Sequence, residues 1–164
     1  QMKEKKDVNI RKAGPEDAAK AVEFMNKLGR YQKMADSTVI TEEKFINLIE
    51  KGGGEAIFGE IGSETAAFMY YYGNSSAFTG NTGIYIDAFY VDEEHRGGGI
   101  GRMILEYVAK QALERGCGRL EWVCLDWNEP SIGFYENLGA ESMDMLTVYR
   151  MDESIMKSMI QSDK

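Results

Sequence analysis

Six residues, Arg96-Gly97-Gly98-Gly99-Ile100-Gly101, stand between a strand-like run, Ile84 to Val91, and a strongly helical run from Arg102 onward. The chain thus passes from strand to helix through a loop nearly devoid of side chains. Such a loop also exposes backbone N–H groups at the positive end of the helix dipole, where phosphate binds. Taken alone, the same residues also describe an ordinary tight turn.

The glycine spacing narrows the anion. A dinucleotide fingerprint needs G-x-G-x-x-G, but counting from Gly97 the sixth place holds Arg102, and counting from Gly99 it holds Ile104. A P-loop needs Gly-Lys followed by Ser or Thr, and none follows Gly101. What remains is Arg/Gln-x-x-Gly-x-Gly, with Arg96, Gly99 and Gly101 in the defining places. This pattern resembles the pyrophosphate-binding motif of the GNAT superfamily of acyl-CoA-dependent N-acetyltransferases.

A second segment carries the same resemblance. Leu125-Asp126-Trp127-Asn128-Glu129-Pro130-Ser131-Ile132-Gly133-Phe134-Tyr135, followed by Glu136-Asn137-Leu138-Gly139-Ala140, is similar to the superfamily's N-x-x-(S/A)-x-x-(F/L)-Y-x-x-x-G-(F/A) element. Its local physics is readable without that likeness. Asn128 is a good N-cap, Pro130 falls in the first turn, and Gly139 stands where a helix ends, so a helix is expected from about Glu129 to Leu138. Asn128, Ser131 and Tyr135 then share one face. Taken alone, Phe134 and Tyr135 fit a pair of core aromatics equally well.

At 164 residues, 43% hydrophobic and 28% charged, the chain suits one compact domain, spanning 1–164. A net charge of −8 argues against sequence-independent binding to nucleic acid or to an anionic membrane. Cys117 and Cys124 with a lone His95 suggest neither a disulfide framework nor a metal site. His95 is expected to face solvent without a role, and the ten methionines to fill core gaps. No apolar run approaches the ~20 residues of a membrane span, and Gln1 to Asp7 is charged, without a signal peptide's apolar core. A cytoplasmic location is expected.

Val8 to Lys12 alternates as a strand, and Gly14-Pro15-Glu16-Asp17 opens a helix running to about Lys33, with Ala18, Ala21, Val22, Met25 and Leu28 as its apolar stripe. Thr41 starts a second helix with Phe45, Ile46 and Ile49 on one face, closed by Gly52 to Gly54. Ala56 to Ile61 and Thr65 to Tyr72 read as a hairpin, and a polar loop, Gly73 to Gly83, leads to the strand Ile84 to Val91. Tyr70, Tyr71 and Tyr72 read first as core. The helix after the glycine loop presents Ile104, Leu105, Val108, Ala109, Ala112 and Leu113 and ends at Gly116. Arg119 to Leu125 reads as a central strand, Met143 to Met151 as a last strand or hairpin, and Glu153 to Ile160 as a final helical turn or two. The order β-α-α-β-β-β-α-β-α-β is α/β, a mixed central sheet flanked by helices on both faces, and it matches the GNAT fold as the resemblance implies it.

Within the superfamily, Trp127 to Ile132 and the Phe134-Tyr135 pair look most like the diamine (spermidine/spermine) acetyltransferase group, and Leu28-Gly29-Arg30-Tyr31 is similar to that group's substrate-side helix. The resemblance implies acetyl-CoA as donor, a small amine as acceptor and a homodimer. By it, the N–H groups of Phe89, Tyr90 and Val91 bind the pantetheine arm and the thioester carbonyl, and Gly97, Gly98, Gly99, Ile100, Gly101 and Arg102 hold the pyrophosphate. Asn128 and Ser131 contact the coenzyme from the other side. Tyr135 is the candidate acid, since an ordinary phenol, with pKa about 10, keeps its proton at neutral pH for the departing thiolate. Asp87 aligns with the acidic residue at the strand end and is the candidate base through water; without the resemblance it is equally a strand-end carboxylate. Tyr31, Gln32, Asp87 and Asp144 are the acceptor-side candidates.

Two departures bear on substrate. The diamine group has a second acid after the strand acid and another after the tyrosine of the substrate helix, where this chain has Ala88 and Gln32. Each missing carboxylate–ammonium contact is worth roughly 1.5 to 3 kcal/mol, which counts against tight spermine binding. Three readings stay open: an acetyltransferase on a small amine, a protein or peptide N-acetyltransferase, and a non-catalytic acyl-CoA-binding module.

Overall fold

The structure is a computed structural model and describes residues 7–161; of the charged start, Gln1 to Asp7, only Asp7 falls within it. Contacts divide the chain into two compact units, Gln1–Leu125 and Asp126–Lys164.

In the first unit β1 (Asn9–Lys12), α1 (Ala18–Tyr31), α2 (Glu42–Glu50), β2 (Gly54–Ile61), β3 (Glu64–Ser75), β4 (Thr82–Val91), α3 (Ile100–Glu114) and β5 (Arg119–Trp122) follow in order. The strands form one sheet in the order β1-β2-β3-β4-β5, antiparallel except for the parallel β4–β5 pair. Period-2 alternation divides its faces. Ala56, Phe58, Phe68, Tyr70 and Ala88 join Ala21, Phe24, Leu28 and Phe45 of α1 and α2 in one core. The opposite face meets α3: a Cβ on Gly59 would lie 2.9 Å from Ile104 Cδ1. The mixed sheet with helices on both faces is thus as expected.

Phe24, Phe45, Phe58 and Phe68 are each at most 1% exposed. Phe58 and Phe68 approach to 5.4 Å between ring centroids, and Phe24 lies 6.4 and 6.3 Å from them. Each such side chain contributes ~1.5 to 3 kcal/mol by leaving water. On α1 Phe24 takes the central core place that the periodicity assigned to Val22 and Met25, both only half-buried. Tyr70 and Tyr71 are buried, as the aromatic strand implied.

Proline and acid at Pro15–Asp17 build a 3₁₀ turn before α1. Arg11 clamps it with a two-point ion pair to Asp17 (2.9 and 2.8 Å), while Gly14 N–H donates to the same carboxylate at 2.8 Å. The pairing holds the Asp17 carboxyl below the usual range. Thr41 caps α2, its hydroxyl accepting from Lys44 N–H at 3.2 Å.

Several expectations are corrected. Arg119 to Leu125 is no central strand: only Arg119–Trp122 pairs, at the sheet edge among the described strands. Arg119 and Glu121, two apart and ion-paired at 3.0 Å, keep one side of the run solvated. Leu113, assigned to the buried face of α3, is 75% exposed. His95 is buried, with Nε2 3.1 Å from Glu64 Oε2 and Nδ1 without a partner among the described residues. Few of the methionines fill the core: Met69 is buried, but Met34, Met143, Met145, Met151, Met156 and Met159 are exposed.

The second unit carries α4 (Glu129–Asn137) and α5 (Glu153–Gln161). Gly139 and Ala140 close α4 by donating to Glu136 O and Tyr135 O at 2.9 and 3.1 Å, a Schellman pair. Asn128 holds the N-cap place, but its side chain makes no capping hydrogen bond. The expected last strand over Met143 to Met151 is absent: these residues are exposed and no strand pairs with them among the described residues. A strand exists only with a hydrogen-bonded neighbour. The helical turns expected over Glu153 to Ile160 are present as α5.

Candidate active site

Three features of the first unit converge on one end of β4. The first is a β-bulge. Tyr71 faces Ile86 and Tyr70 faces Ala88, so Asp87 is the extra residue, opposed by none. It is exposed and turned to the α1–α2 side, where it lines a cavity with residues of both helices. Burial first, then the Asp87 carboxylate, hold the phenols of Tyr70 and Tyr72 above their ordinary range.

The second is an open strand edge. β4 pairs with β5 only from Gly83 opposite Arg119 to Ile86 opposite Trp122, and beyond the bulge no described strand lies on that side. Asp92 N–H donates to Ala66 O on β3 (2.8 Å). By two-residue alternation Ala88 and Tyr90 also point their amides at β3, whereas Phe89 and Val91 point theirs to the open edge. The amide of Tyr90, grouped with those two from the sequence, therefore serves the sheet.

The third is the glycine loop. After a 3₁₀ turn at Glu93–His95, Gly99 occupies the N-cap of α3 with φ 83°. This left-handed backbone requires glycine even though a Cβ there would meet nothing within 4 Å. Met103 N–H to Gly99 O, at 3.1 Å, is the first bond of the helix, and none of the amides of residues 97–102 has a backbone acceptor among the described residues. A row of unused N–H groups at the head of a 15-residue helix favours a phosphate. The Arg96 side chain is occupied elsewhere. Its Nε donates to Val91 O at 2.9 Å, and its guanidinium lies 4.9 and 5.2 Å from the ring centres of Tyr31 and Tyr90.

The cavity, about 550 Å³, is walled by Met25, Leu28, Gly29 and Gln32 of α1 and its C-cap, by the following segment, and by Lys44, Asn47 and Leu48 of α2, with Asp87 from β4. Gly29 permits this wall: a Cβ there would come within 2.1 Å of Thr38 Oγ1. Gln32 and Asp87, chosen from sequence for the acceptor, thus line one cavity, while Tyr31, chosen with them, packs instead on Tyr90 and Arg96. Lys44 and Asn47 were not singled out from sequence. The available signal was a lysine at the third residue of a helix, where an acid is favoured.

In the second unit Asn128 is buried and Ser131 and Tyr135 are half-buried along one side of α4, with the Phe134 and Tyr135 rings 5.5 Å apart. Asp144 is exposed and hydrogen-bonded by Ser142 Oγ.

Residues 21–140 match the model of the Acetyltransferase (GNAT) family. The chain belongs to that family. This GNAT enzyme is 34% identical over 149 residues to thialysine N-epsilon-acetyltransferase of Sus scrofa, covering 83% of the chain and 85% of the relative. It is 26% identical to a spermidine/spermine N(1)-acetyltransferase-like protein of Homo sapiens over 80% of the chain, though that spans 20% of the relative. Among solved structures an integron cassette protein from V. cholerae superimposes with a TM-score of 0.78 at 22% identity, covering 94% of this chain and 98% of that one. The GNAT enzyme shares that fold.

Proposed function

We propose that the chain moves the acetyl group of acetyl-CoA directly to a primary amine on a small polyamine-like or amino-acid-like acceptor held in the cavity between α1 and α2. The observation that carries this reading is the loss of β4's partner strand just where Asp87 bulges, followed along the chain by amides that lack acceptors. The residues present fit acetyl-CoA: the amides of residues 97–102 suit its pyrophosphate, and the outward amides of Phe89 and Val91 suit an extended pantetheine arm. The relatives' names support the acceptor class, since they specify thialysine, spermidine/spermine and, over a shorter match, L-ornithine in Arabidopsis thaliana.

In this reading the acceptor nitrogen bonds to the acetyl carbon and the carbon–sulfur bond breaks. Asp87 receives the amine proton through water, and the open-edge amides of β4 stabilise the developing oxyanion. Tyr135 protonates the thiolate, a role resting on its phenol and on the motif around it. Asn128 and Ser131 are proposed coenzyme contacts on the same ground. Reduced Cys117 and Cys124 suit a cytoplasmic enzyme. A homodimer is supported by the second unit, where Met145, Leu146, Val148 and Tyr149 are 65 to 92% exposed.

The test is thiol release from acetyl-CoA against a panel of diamines, amino acids and lysine peptides. Turnover with small amines is expected. Turnover with peptides alone would transfer the assignment to protein acetylation, and coenzyme binding without release to any amine would sink it.

A further inference from the structure

We propose that Lys44 reads a carboxylate on the acceptor, so that the cavity selects an ω-amino acid over a diamine. This rests on the cavity being the acceptor site. Asp87 from β4 and Lys44 from α2 line that one cavity. Met25, Leu28, Ile40 and Leu48 add apolar wall to the same cavity, suited to a methylene chain. Anion, apolar wall and cation match the amine, chain and carboxylate of such an acceptor. A diamine would instead bring its second ammonium to a lysine. Gln32, which also lines the cavity, can donate to a carboxylate but cannot neutralise a cation.

Lys44 is not explained by the helix that carries it. With Thr41 as N-cap and Glu42 and Glu43 ahead of it, Lys44 is the third helical residue. A Glu or Gln there would complete a capping box, and the helix dipole opposes a cation in the first turn. The residues three and four away are Ile40, Thr41, Asn47 and Leu48, so no carboxylate stands at ion-pairing distance along the helix. Lys20, Lys27, Lys110 and Lys157 all have such partners on their own helices. The Lys44 ammonium forms no ion pair among the described residues, in a chain with 27 acids to 19 bases. A local rule broken without structural return marks a functional position.

The experiment compares L-ornithine with putrescine and L-lysine with cadaverine, pairs that differ by one carboxylate, at saturating acetyl-CoA. The native enzyme is expected to favour the amino acid in each pair. Lys44→Ala should lower the amino-acid-to-diamine ratio of kcat/KM about tenfold, through KM and not kcat. Lys44→Arg should restore the ratio and Lys44→Glu should invert it. Thermal melts of the variants verify folding; an exposed lysine on the first turn of a helix is dispensable for it. A native preference for the diamines, or ratios that ignore residue 44, would overturn the inference while leaving acetyl transfer intact. Absence of transfer to every amine would remove the underlying reading and this inference with it.

Discussion

Tyr135 and Gly99 make separable demands on the enzyme. Tyr135 is half-buried on α4, along the side that also carries the Asn128 amide and the Ser131 hydroxyl. Tyr135→Phe should slow kcat by about 10² or more while the KM for acetyl-CoA stays within about twofold, as steady-state kinetics would reveal. An unchanged kcat would strip Tyr135 of its role. Gly99 has φ 83° and free space around its Cα, so Gly99→Ala brings backbone strain of ~1 to 2 kcal/mol without a clash. Calorimetry should find weaker coenzyme binding, and thermal melting a lower midpoint. The place of each in the fold, Gly99 at the head of α3 and Tyr135 within α4, is legible in the sequence because glycine and cap spacing fixes both helices in one dimension. His95 and Lys44 are not. His95 meets its partner Glu64 from thirty-one residues away, and Lys44 reaches the cavity only once α2 is folded.

Among the elements, the 3₁₀ turn at Pro15–Asp17 is tied to β1 by the Arg11–Asp17 ion pair. Hydrogen bonds from Arg11 lower the Asp17 carboxyl, burial opposes them, and the Gly14 amide adds to them. A lowered folded pKa gives stability that is complete above the unfolded value, about 3.9, and lost as pH falls through the folded one. Arg11 is 39% exposed, so solvent screening holds the pair to about 1 kcal/mol. Asp17→Asn should therefore lower urea stability by about that amount at neutral pH, and the gap to native should narrow as pH falls below about 3.9. A gap constant across this range would mean that the charge is irrelevant. Periodicity made most helices and strands legible to within a few residues. It missed the bulge at Asp87, since inserting one residue leaves an apolar run apolar on either side. Met143 to Met151 likewise reads as a strand or hairpin, but a strand needs a neighbour that no window of sequence contains.

For the whole molecule, a net charge of −8 attracts cationic acceptors at long range. With acetyl-CoA saturating, raising salt so that the Debye length falls from about 10 Å to about 3 Å should lower kcat/KM for diamines more than for zwitterionic amino acids. Equal losses would place the salt effect on the fold. Sedimentation should find a homodimer, and Tyr149→Asp together with Leu146→Asp should loosen it, because both side chains are exposed and apolar for most of their surface. A monomer at all concentrations would refute the assembly.

Arg96 is wedged against Tyr31 and Tyr90 and tied to Val91, and Tyr31 is directly bonded to Gln32. One side chain thereby ties the end of β4 and the last turn of α1 to the start of the glycine loop, as a keystone holds three courses, so that a change at residue 96 would be felt in all of them.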